Sequence, residues 1–463
     1  MAQTGASGSN RRIILDVSSI SRWLGPPVGI MRREHALARY ALWRRPEIQF
    51  SFFDKPTSTF LAVELAWIER LIGWDHAIDM ATLDVRRGRK GMARLKPSRY
   101  LLTMALERRR LTTERPAIRR VIDLGQRLAW LPRGLPAPFI DRLGSSLGVV
   151  PLDLALGPPY VPGPNDVIVS VGNDWLDKDA TAIARLKQRC GFRYVVMCHD
   201  LIPVMFPAFF PERFAALFRR HWAAMFPIAD RVLVNSRRVE ADIGNFCRKA
   251  GIGVGDIALV QPGCDLVPTD PAAALPMDLE PGRFALFVGT IEPRKGHAML
   301  LDVWRLLVAK GIPQRRGFKL VLAGRPGRNV EDVLHQIADV ESFEGTLLHL
   351  SGVDDRSLAG LYHAAAFCLL PSVYEGFGVP IIEAFAQGKA VIASDGGALP
   401  ETVGSLSPCL PATDMQAWLT TIQRWIEDDD ARAPYEAKIR ASFPHPNWEQ
   451  AAARIFEAVE RDA

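Results

Sequence analysis

The stretch PSVYEGFGVPIIEAFAQG, from Pro371 to Gly388, is the most informative segment of the chain about its fold. The residues before it, AAAFCLL at 364–370, form an apolar run of the kind found in a buried parallel strand. The residues IIEAFAQG, at its end, indicate a short helix that stops at Gly388. Strand, glycine-rich loop and helix therefore follow one another, which predicts a unit of an α/β fold with a parallel sheet.

Two glutamates, Glu375 and Glu383, flank the Gly-Phe-Gly turn. Pro380 suits the first helical position, so we expect Glu383 in the first turn, near free backbone N–H groups that attract anions and polar ligands. Gly376 and Gly378 let the backbone approach a ligand closely. The stretch predicts a ligand site in which Glu375 accepts from a vicinal sugar diol. The alternative is an ordinary strand-to-helix turn with two surface glutamates.

The stretch is similar to the Glu-x7-Glu signature of the retaining glycosyltransferases of family 4. The resemblance continues through FALFVGTIEPRKGH at 284–297, LVLAGRPG at 320–327 and AVIASDGGALPETVG at 390–404. The chain also has HDLIP at 199–203, and family members with this motif near mid-length most resemble the bacterial enzymes that build O-antigen and capsule repeats. The resemblance implies an α/β chain of GT-B architecture, with two Rossmann-like doubly wound domains facing across a cleft.

The chain has 463 residues, more than one core usually fills, and this length favours division into two or three domains. Strand and helix patterns alternate in both halves, which predicts parallel sheets; the first strand is expected over 11–20. A loop-like, proline-rich segment after Pro262 marks the linker. We predict a disordered lead-in at 1–10, an N-terminal acceptor-side domain at 11–270, a C-terminal nucleotide-sugar-binding domain at 271–440, and a helix at 441–463. The resemblance implies that this last helix crosses back to the N-terminal domain.

Charge is concentrated in one segment, residues 86–120, which carries thirteen Lys or Arg and only two Glu. Apolar residues are interleaved with this charge. The segment is therefore interpreted either as an amphipathic helix that lies on anionic lipid or as a solvated basic face of the protein. Nucleic-acid binding is disfavoured, because no zinc-finger or RNA-binding signature accompanies the charge.

Other features of the sequence indicate a soluble protein. No stretch approaches the roughly 20 apolar residues that a membrane span requires. The six cysteines are scattered without metal-ligand spacing, and the first ten residues do not resemble a secretory signal. We expect reduced thiols and a cytoplasmic location, at the inner face of the cytoplasmic membrane if the basic segment binds lipid.

Two basic residues, Arg294 and Lys295, follow a predicted strand end in EPRKG, where cations would meet a diphosphate. Family members commonly carry an Arg where this chain has Thr290, so Arg294 is expected to take over that charge. His199 ends another apolar strand and should point into the cleft, because ligands of open α/β sheets bind at the carboxyl ends of strands. The resemblance places this histidine against the donor sugar, with Asp200 orienting it.

The resemblance also implies roles for the loop residues. Glu375 binds the sugar hydroxyls together with the backbone amides of the Gly376–Phe377–Gly378 turn, and Glu383 holds the ribose hydroxyls. The backbone around Gly352 and Val353 reads the base.

Further candidates lie in the first half of the chain. The same resemblance implies that the loop containing Gly29, together with Arg32, bends toward the donor diphosphate and the acceptor. Asn235 and Ser236 are interpreted as a helix cap without a catalytic role. Asp174 is either an acceptor contact or an ordinary loop residue.

These residues predict glycosyl transfer without a cofactor. The resemblance implies front-face attack with retention, the leaving phosphate accepting the acceptor proton. No clear Asp-x-Asp metal site lies in the expected place, because DKD at 177–179 lies in the acceptor half, so we expect metal independence. GDP-mannose is the favoured donor, and a glycan or lipid-linked glycan the acceptor. Two other classes stay open: a non-catalytic sugar-nucleotide-binding subunit, and another GT-B enzyme such as an epimerase or a phosphorylase.

Overall fold

A computed structural model describes most of the chain: residues 11–22, 29–55, 57–72, 156–266, 275 and 279–461. The lead-in predicted at 1–10 and the basic segment at 86–120 lie outside the described residues. The domain boundary predicted at residue 270 also falls outside them and stays a prediction.

The first half of the described chain forms an eight-stranded sheet in the order β4-β3-β2-β1-β5-β6-β7-β8. Its strands are β1 (Arg12–Asp16), β2 (Gln49–Asp54), β3 (Thr59–Val63), β4 (Leu156–Tyr160), β5 (Asp166–Ser170), β6 (Arg193–Cys198), β7 (Arg231–Val234) and β8 (Asp256–Leu259). Its helices are α1 (Ser18–Arg22), α2 (Ile30–Arg44), α3 (Leu65–Ile72), α4 (Asp174–Asp177), α5 (Ala180–Cys190), α6 (Ile202–Met205), α7 (Glu212–Met225) and α8 (Arg237–Ala250).

This first sheet is mixed, whereas the sequence predicted a parallel one. Strands β2 and β3 pair antiparallel, and so do β3 and β4. The turn between β2 and β3 is only a few residues long, and such a turn permits antiparallel pairing only. The strand predicted over residues 11–20 is also shorter, because the Asp16 carboxylate accepts from the Ser18 amide (3.0 Å) and α1 begins there.

The second half forms a six-stranded sheet in the order β11-β10-β9-β12-β13-β14, parallel throughout its recorded pairings. Its strands are β9 (Phe284–Val288), β10 (Lys319–Ala323), β11 (Leu347–Leu350), β12 (Phe367–Leu370), β13 (Val391–Ser394) and β14 (Cys409–Leu410). Its helices are α9 (His297–Ala309), α10 (Ile312–Arg316), α11 (Glu331–Ala338), α12 (Asp355–Ala364), α13 (Val379–Ala386), α14 (Leu399–Val403), α15 (Met415–Glu427) and α16 (Ala433–Ser442). The central strands β9, β12 and β13 are almost entirely buried, as continuous apolar runs of parallel strands should be.

The last helix, α17 (Trp448–Glu460), packs on the first sheet although it follows the second in the chain. Ala452, Ile455 and Phe456 belong to the same buried cluster as Leu37 of α2. Asn447 caps the helix through a reciprocal bond with Gln450, so its start is fixed locally. No helix within the described ranges is long and apolar enough to cross a bilayer.

These elements confirm the predicted fold class: two α/β units, each built around a largely parallel sheet. The loops after β6 and β7 in the first unit meet the loop after β12 in the second, because the carboxyl ends of these strands face one another. Ligands of such folds bind at this position.

Candidate active site

The Gly-Phe-Gly turn joins β12 to α13 in a conformation that requires glycine. Gly378 is the N-cap of α13 with φ 97°, and a Cβ there would lie 2.5 Å from the Leu399 side chain. The helix begins at Val379, so Pro380 is its second residue and Glu383 its fifth. The expectation that Glu383 lies in the first turn is therefore wrong, and this carboxylate is held by side chains rather than by free amides.

Glu375 precedes the turn and is held by two cations. Its Oε1 accepts from Lys295 Nζ at 2.5 Å and from the Ser372 hydroxyl at 2.7 Å, while Oε2 accepts from Arg294 Nη1 at 3.1 Å. Arg294 also pairs with Glu292 at 3.0 Å. Both cations come from the single 3₁₀ turn Pro293–Lys295 that follows β9. The sequence-predicted pair of cations and the first signature glutamate thus form one cluster.

This cluster fixes the charge of Glu375. Burial alone raises the pKa of the carboxyl, but the adjacent Lys295 and Arg294 outweigh it and lower the pKa to about 2. Glu375 is 8% exposed and stays ionised at neutral pH. Burial raises the pKa of nearby Asp200, with the Arg294 charge opposing the shift.

Glu383 lies in a different environment, although it is equally buried. Its Oε2 accepts from the Tyr362 hydroxyl at 2.8 Å, and its Oε1 lies 3.7 Å from Nη1 of Arg32. Burial raises the pKa of Glu383, and the Arg32 charge only partly opposes this. Arg32 also pairs with Asp355 at 2.6 Å, so the first turn of α2 is tied to the second sheet unit by two carboxylates.

His199 follows β6 and is buried at the facing edge of the first sheet. Its Nε2 bonds to the Val171 carbonyl at 2.9 Å. A carbonyl can only accept, so Nε2 carries the proton and Nδ1 is left as an acceptor. Burial, reinforced by the Arg33 charge, lowers the pKa of His199 to about 3, which keeps the imidazole neutral. Asp200 was expected to orient this ring, but its carboxylate accepts from the Ile202 amide at 3.0 Å. The recorded hydrogen-bond partner of the ring is the Val171 carbonyl.

The two units are in direct contact beside His199. The Ser236 hydroxyl donates to the Gly376 carbonyl at 2.8 Å, and a Cβ at Gly376 would lie 2.5 Å from the His199 carbonyl oxygen. Asn235 donates to that same oxygen at 3.0 Å. Ser236 also caps α8 by accepting from the Val239 amide, as predicted, but its contact with the second unit was not predicted.

A second contact between the units involves Tyr374, a residue that was not predicted to have a role. Its hydroxyl donates to Asp242 and accepts from Arg238 Nε at 2.9 Å, and Arg238 Nε lies 3.1 Å from the Asp242 carboxylate. Glu401 accepts from the amides of Arg237 and Arg238. The proximity of Tyr374 to Glu375 in the sequence is the only signal that could have indicated this role.

Other predicted residues have no recorded contact with the side chains of Glu375, Arg294 and Lys295. Val353 packs against the core of the second unit, beside Gly352 with φ 79°. Gly29 is the N-cap of α2 with φ 52°, and the space around it is open. The Phe377 carbonyl accepts from Thr402, which holds the turn in place.

Asp174 belongs to a buried network rather than to an open surface. Its carboxylate accepts from Ser170 at 2.6 Å and pairs with Lys178 at 3.3 Å, and Lys178 in turn pairs with Asp16 at 2.7 Å. Asp174 is the buried first residue of α4 and therefore not an ordinary loop residue, and an acceptor contact stays a prediction. Metal independence stays a prediction.

Comparisons with known proteins show which family and fold the chain resembles. Residues 278–442 match the family described as "Glycosyl transferases group 1". The O-antigen chain mannosyltransferase B of Escherichia coli is 34% identical over 200 residues, 42% of this chain and 51% of that protein. The phosphatidyl-myo-inositol mannosyltransferase of Mycolicibacterium smegmatis is 33% identical over 183 residues, 39% of this chain and 45% of that protein. The chain thus spans about half the length of these relatives.

Solved structures share the fold over nearly the whole chain. Sucrose-phosphate synthase from Thermosynechococcus elongatus aligns with a TM-score of 0.55 at 20% identity, covering 97% of this chain and 98% of that one. Anabaena Alr3699/HepE in complex with UDP and glucose aligns with a TM-score of 0.55 at 15% identity, covering 97% and 99%. Residues 278–442 therefore resemble a glycosyl transferases group 1 domain, and the chain shares the GT-B fold of these solved structures.

Proposed function

We propose that the protein is a retaining glycosyltransferase. It transfers a hexose, with mannose favoured, from a nucleotide-diphosphate sugar to a glycan or lipid-linked glycan in surface polysaccharide synthesis. The observation that carries this proposal is the cluster of Glu375 with Arg294 and Lys295, which lies across the cleft from the neutral imidazole of His199. The names of the mannosyltransferase relatives support the choice of sugar.

The cluster suits the chemistry of a sugar nucleotide. Glycosyl transfer expels a diphosphate through a transition state with positive charge on the sugar, so the site must neutralise the leaving oxygen and orient the sugar. In the proposed complex, Arg294 and Lys295 bind the diphosphate. Glu375, which is ionised, accepts hydrogen bonds from the sugar hydroxyls, and the amides of the Gly-Phe-Gly turn donate to the sugar.

The remaining residues position the two ends of the donor. Glu383 accepts from the ribose hydroxyls, and donor binding replaces its present 3.7 Å contact with Arg32. The unprotonated Nδ1 of His199 accepts from a hydroxyl of the transferred sugar, which stabilises its developing positive charge. The acceptor hydroxyl attacks the face from which the phosphate leaves, and that phosphate takes the proton. No protein nucleophile takes part in this scheme.

The choice of donor and the lack of a cofactor are part of the proposal. GDP-mannose is favoured, and no metal ion is required, because Arg294 and Lys295 supply the charge that a cation would supply elsewhere. All six cysteines are free thiols, which supports a reducing, cytoplasmic compartment. Contact of segment 86–120 with anionic lipid stays an expectation.

Thermal stabilisation by a panel of nucleotide sugars tests the proposal, with GDP-mannose hydrolysis as the second readout. A ligand at 100 times its dissociation constant should add roughly 2.7 kcal/mol to the free energy of unfolding. We expect stabilisation by GDP-mannose together with release of GDP that persists after EDTA treatment. Stabilisation without turnover would favour a binding subunit, an epimeric product would favour an epimerase, and no stabilisation by any nucleotide sugar would reject the proposal.

A further inference from the structure

Arg33, on α2, is a buried arginine without a counter-charge. Lys and Arg are almost never fully buried unless a carboxylate or another acceptor pairs with them. Four Lys or Arg side chains of the described chain are buried, and three of them pair with carboxylates: Lys178 with Asp16, Arg231 with Asp256 and Lys295 with Glu375. Arg33, at 5% exposure, is the fourth, and no carboxylate of the described residues pairs with it.

The contacts of Arg33 are weak ones. Its Nη1 lies 2.8 Å from the Met197 sulfur, and its guanidinium carbon lies 5.8 Å from the centre of the Trp448 ring. A thioether sulfur is a poor acceptor, so most donors of the guanidinium fork are unused within the described part of the chain. Burial without a compensating charge lowers the pKa of Arg33 to about 9.

Arg33 lies close to the strand that carries His199. Met197 lies two residues before His199, and the Arg33 charge acts on the His199 imidazole. Its neighbour Arg32 contacts Glu383, the second signature glutamate. The Arg33 charge is therefore within electrostatic range of His199, and the same helix turn carries the arginine that contacts the second signature glutamate.

We propose that Arg33 binds an acidic group, a carboxylate or phosphate, which the substrate carries next to His199 and which is separate from the nucleotide diphosphate. The cations assigned to the diphosphate, Arg294 and Lys295, already have Glu375 as a partner, whereas Arg33 lacks one until substrate binds. The planar guanidinium suits two-point binding of an oxyanion. The inference rests on the proposed function, since it places a sugar substrate in this cleft, and it narrows the substrate to an acidic sugar or a sugar phosphate.

The acidic group has two possible sources: the transferred sugar, as in a uronic acid, or the acceptor. Both present the same chemistry to Arg33, so the experiment uses inorganic phosphate as a probe of the site and then separates the sources. Arg33→Met fills the space between Met197 and Trp448 without charge, and Arg33→Gln is a second neutral variant if the first does not fold. Arg33→Lys keeps the charge. Arg44→Met, on the exposed face of the same helix, is the matched control.

Phosphate is titrated calorimetrically into each protein with GDP saturating. We expect phosphate to bind wild type, Arg33→Lys and Arg44→Met, and to bind Arg33→Met or Arg33→Gln at least about tenfold more weakly. Equal affinity in wild type and the neutral variants would mean an adventitious ion only and would overturn the proposal. So would full competition between phosphate and GDP, because Arg33 would then belong to the diphosphate site.

The source is separated by comparing GDP-mannose with GDP-mannuronic acid. A preference of wild type for the acidic sugar of about tenfold, lost in Arg33→Met, assigns the group to the donor. Equal affinities, with phosphate binding still dependent on Arg33, assign it to the acceptor. Failure of GDP to bind wild type would count against the proposed function alone, and the phosphate comparison without GDP would still decide the role of Arg33.

Discussion

Glu375 and Glu383 belong to one signature and are both nearly buried, at 8% and 6% exposure, yet their electrostatics are opposite. Two cations at 2.5 and 3.1 Å lower the pKa of Glu375 to about 2. Glu383 has one arginine at 3.7 Å and a tyrosine hydroxyl, and burial raises its pKa. The spacing of the motif therefore does not set the pKa of its two carboxyl groups. The side chains that pack against each carboxyl group set it.

The largest expected effect is at the Glu375 end, where the proposed contacts are to the reacting sugar and the leaving group. Glu375→Gln and Lys295→Met should each lower kcat at least about tenfold, roughly 1.4 kcal/mol of barrier, while affinity for GDP-mannose changes less. Steady-state kinetics at saturating donor measure this. Ser372→Ala, which removes only the 2.7 Å hydrogen bond to Glu375, is the matched control and should lose much less. Wild-type kcat in both charge variants would remove the cluster from the reaction.

A smaller effect, of a different kind, is expected at the Glu383 end. Glu383→Ala should weaken GDP binding by about tenfold with little change in kcat at saturating donor, because the proposed contact is to ribose. Tyr362→Phe removes a single hydrogen bond to the same carboxylate, worth about 1 kcal/mol, and should weaken GDP binding by about fivefold. Calorimetric titration of GDP gives both values. A kcat loss at Glu383 equal to that at Glu375 would erase the distinction between the two glutamates.

The last effect is on stability rather than on turnover and concerns His199, a buried group opposite the Glu375 cluster. Its pKa is about 3 in the folded protein and about 6.5 when free, so below pH 6.5 the unfolded state binds the extra proton. The free energy of unfolding should therefore fall as the pH drops from 6.5 towards 3. His199→Gln can still donate to the Val171 carbonyl but does not titrate, so its free energy of unfolding should fall less between pH 7 and pH 5, by about 2 kcal/mol. Urea denaturation at the two pH values measures this, and identical pH dependence would contradict the buried neutral imidazole.

The sequence predicted the elements of the second half well, because continuous apolar runs and helical signals agree there. The helix expected to stop at Gly388 ends at Ala386, and Gly388 follows with φ 69°. In the first half, the antiparallel β2–β3 hairpin is local and was overlooked, whereas β3 and β4 meet across more than 90 residues of chain. Local propensity carries no information about such pairing.

The sequence pointed to candidate site residues, whose roles stay proposals, but not to the contacts that these residues make in the fold. Glu375, Arg294 and Lys295 were expected to share a ligand, and the structure brings them together. Contacts between the units, such as Ser236 with Gly376, depend on how two separate folds meet, and nothing in the local sequence encodes that. The missing counter-charge of Arg33 could not be inferred either, because a sequence shows charges but not their pairing.

The most direct measurement of the central claim is the anomeric configuration of the sugar released first. GDP-α-mannose is incubated with the enzyme and the earliest mannose is observed by proton NMR, before mutarotation mixes the anomers. Retention predicts α-mannose from wild type, at a rate that falls at least about tenfold in Glu375→Gln. Release of β-mannose, or equal rates in the two proteins, would contradict the account.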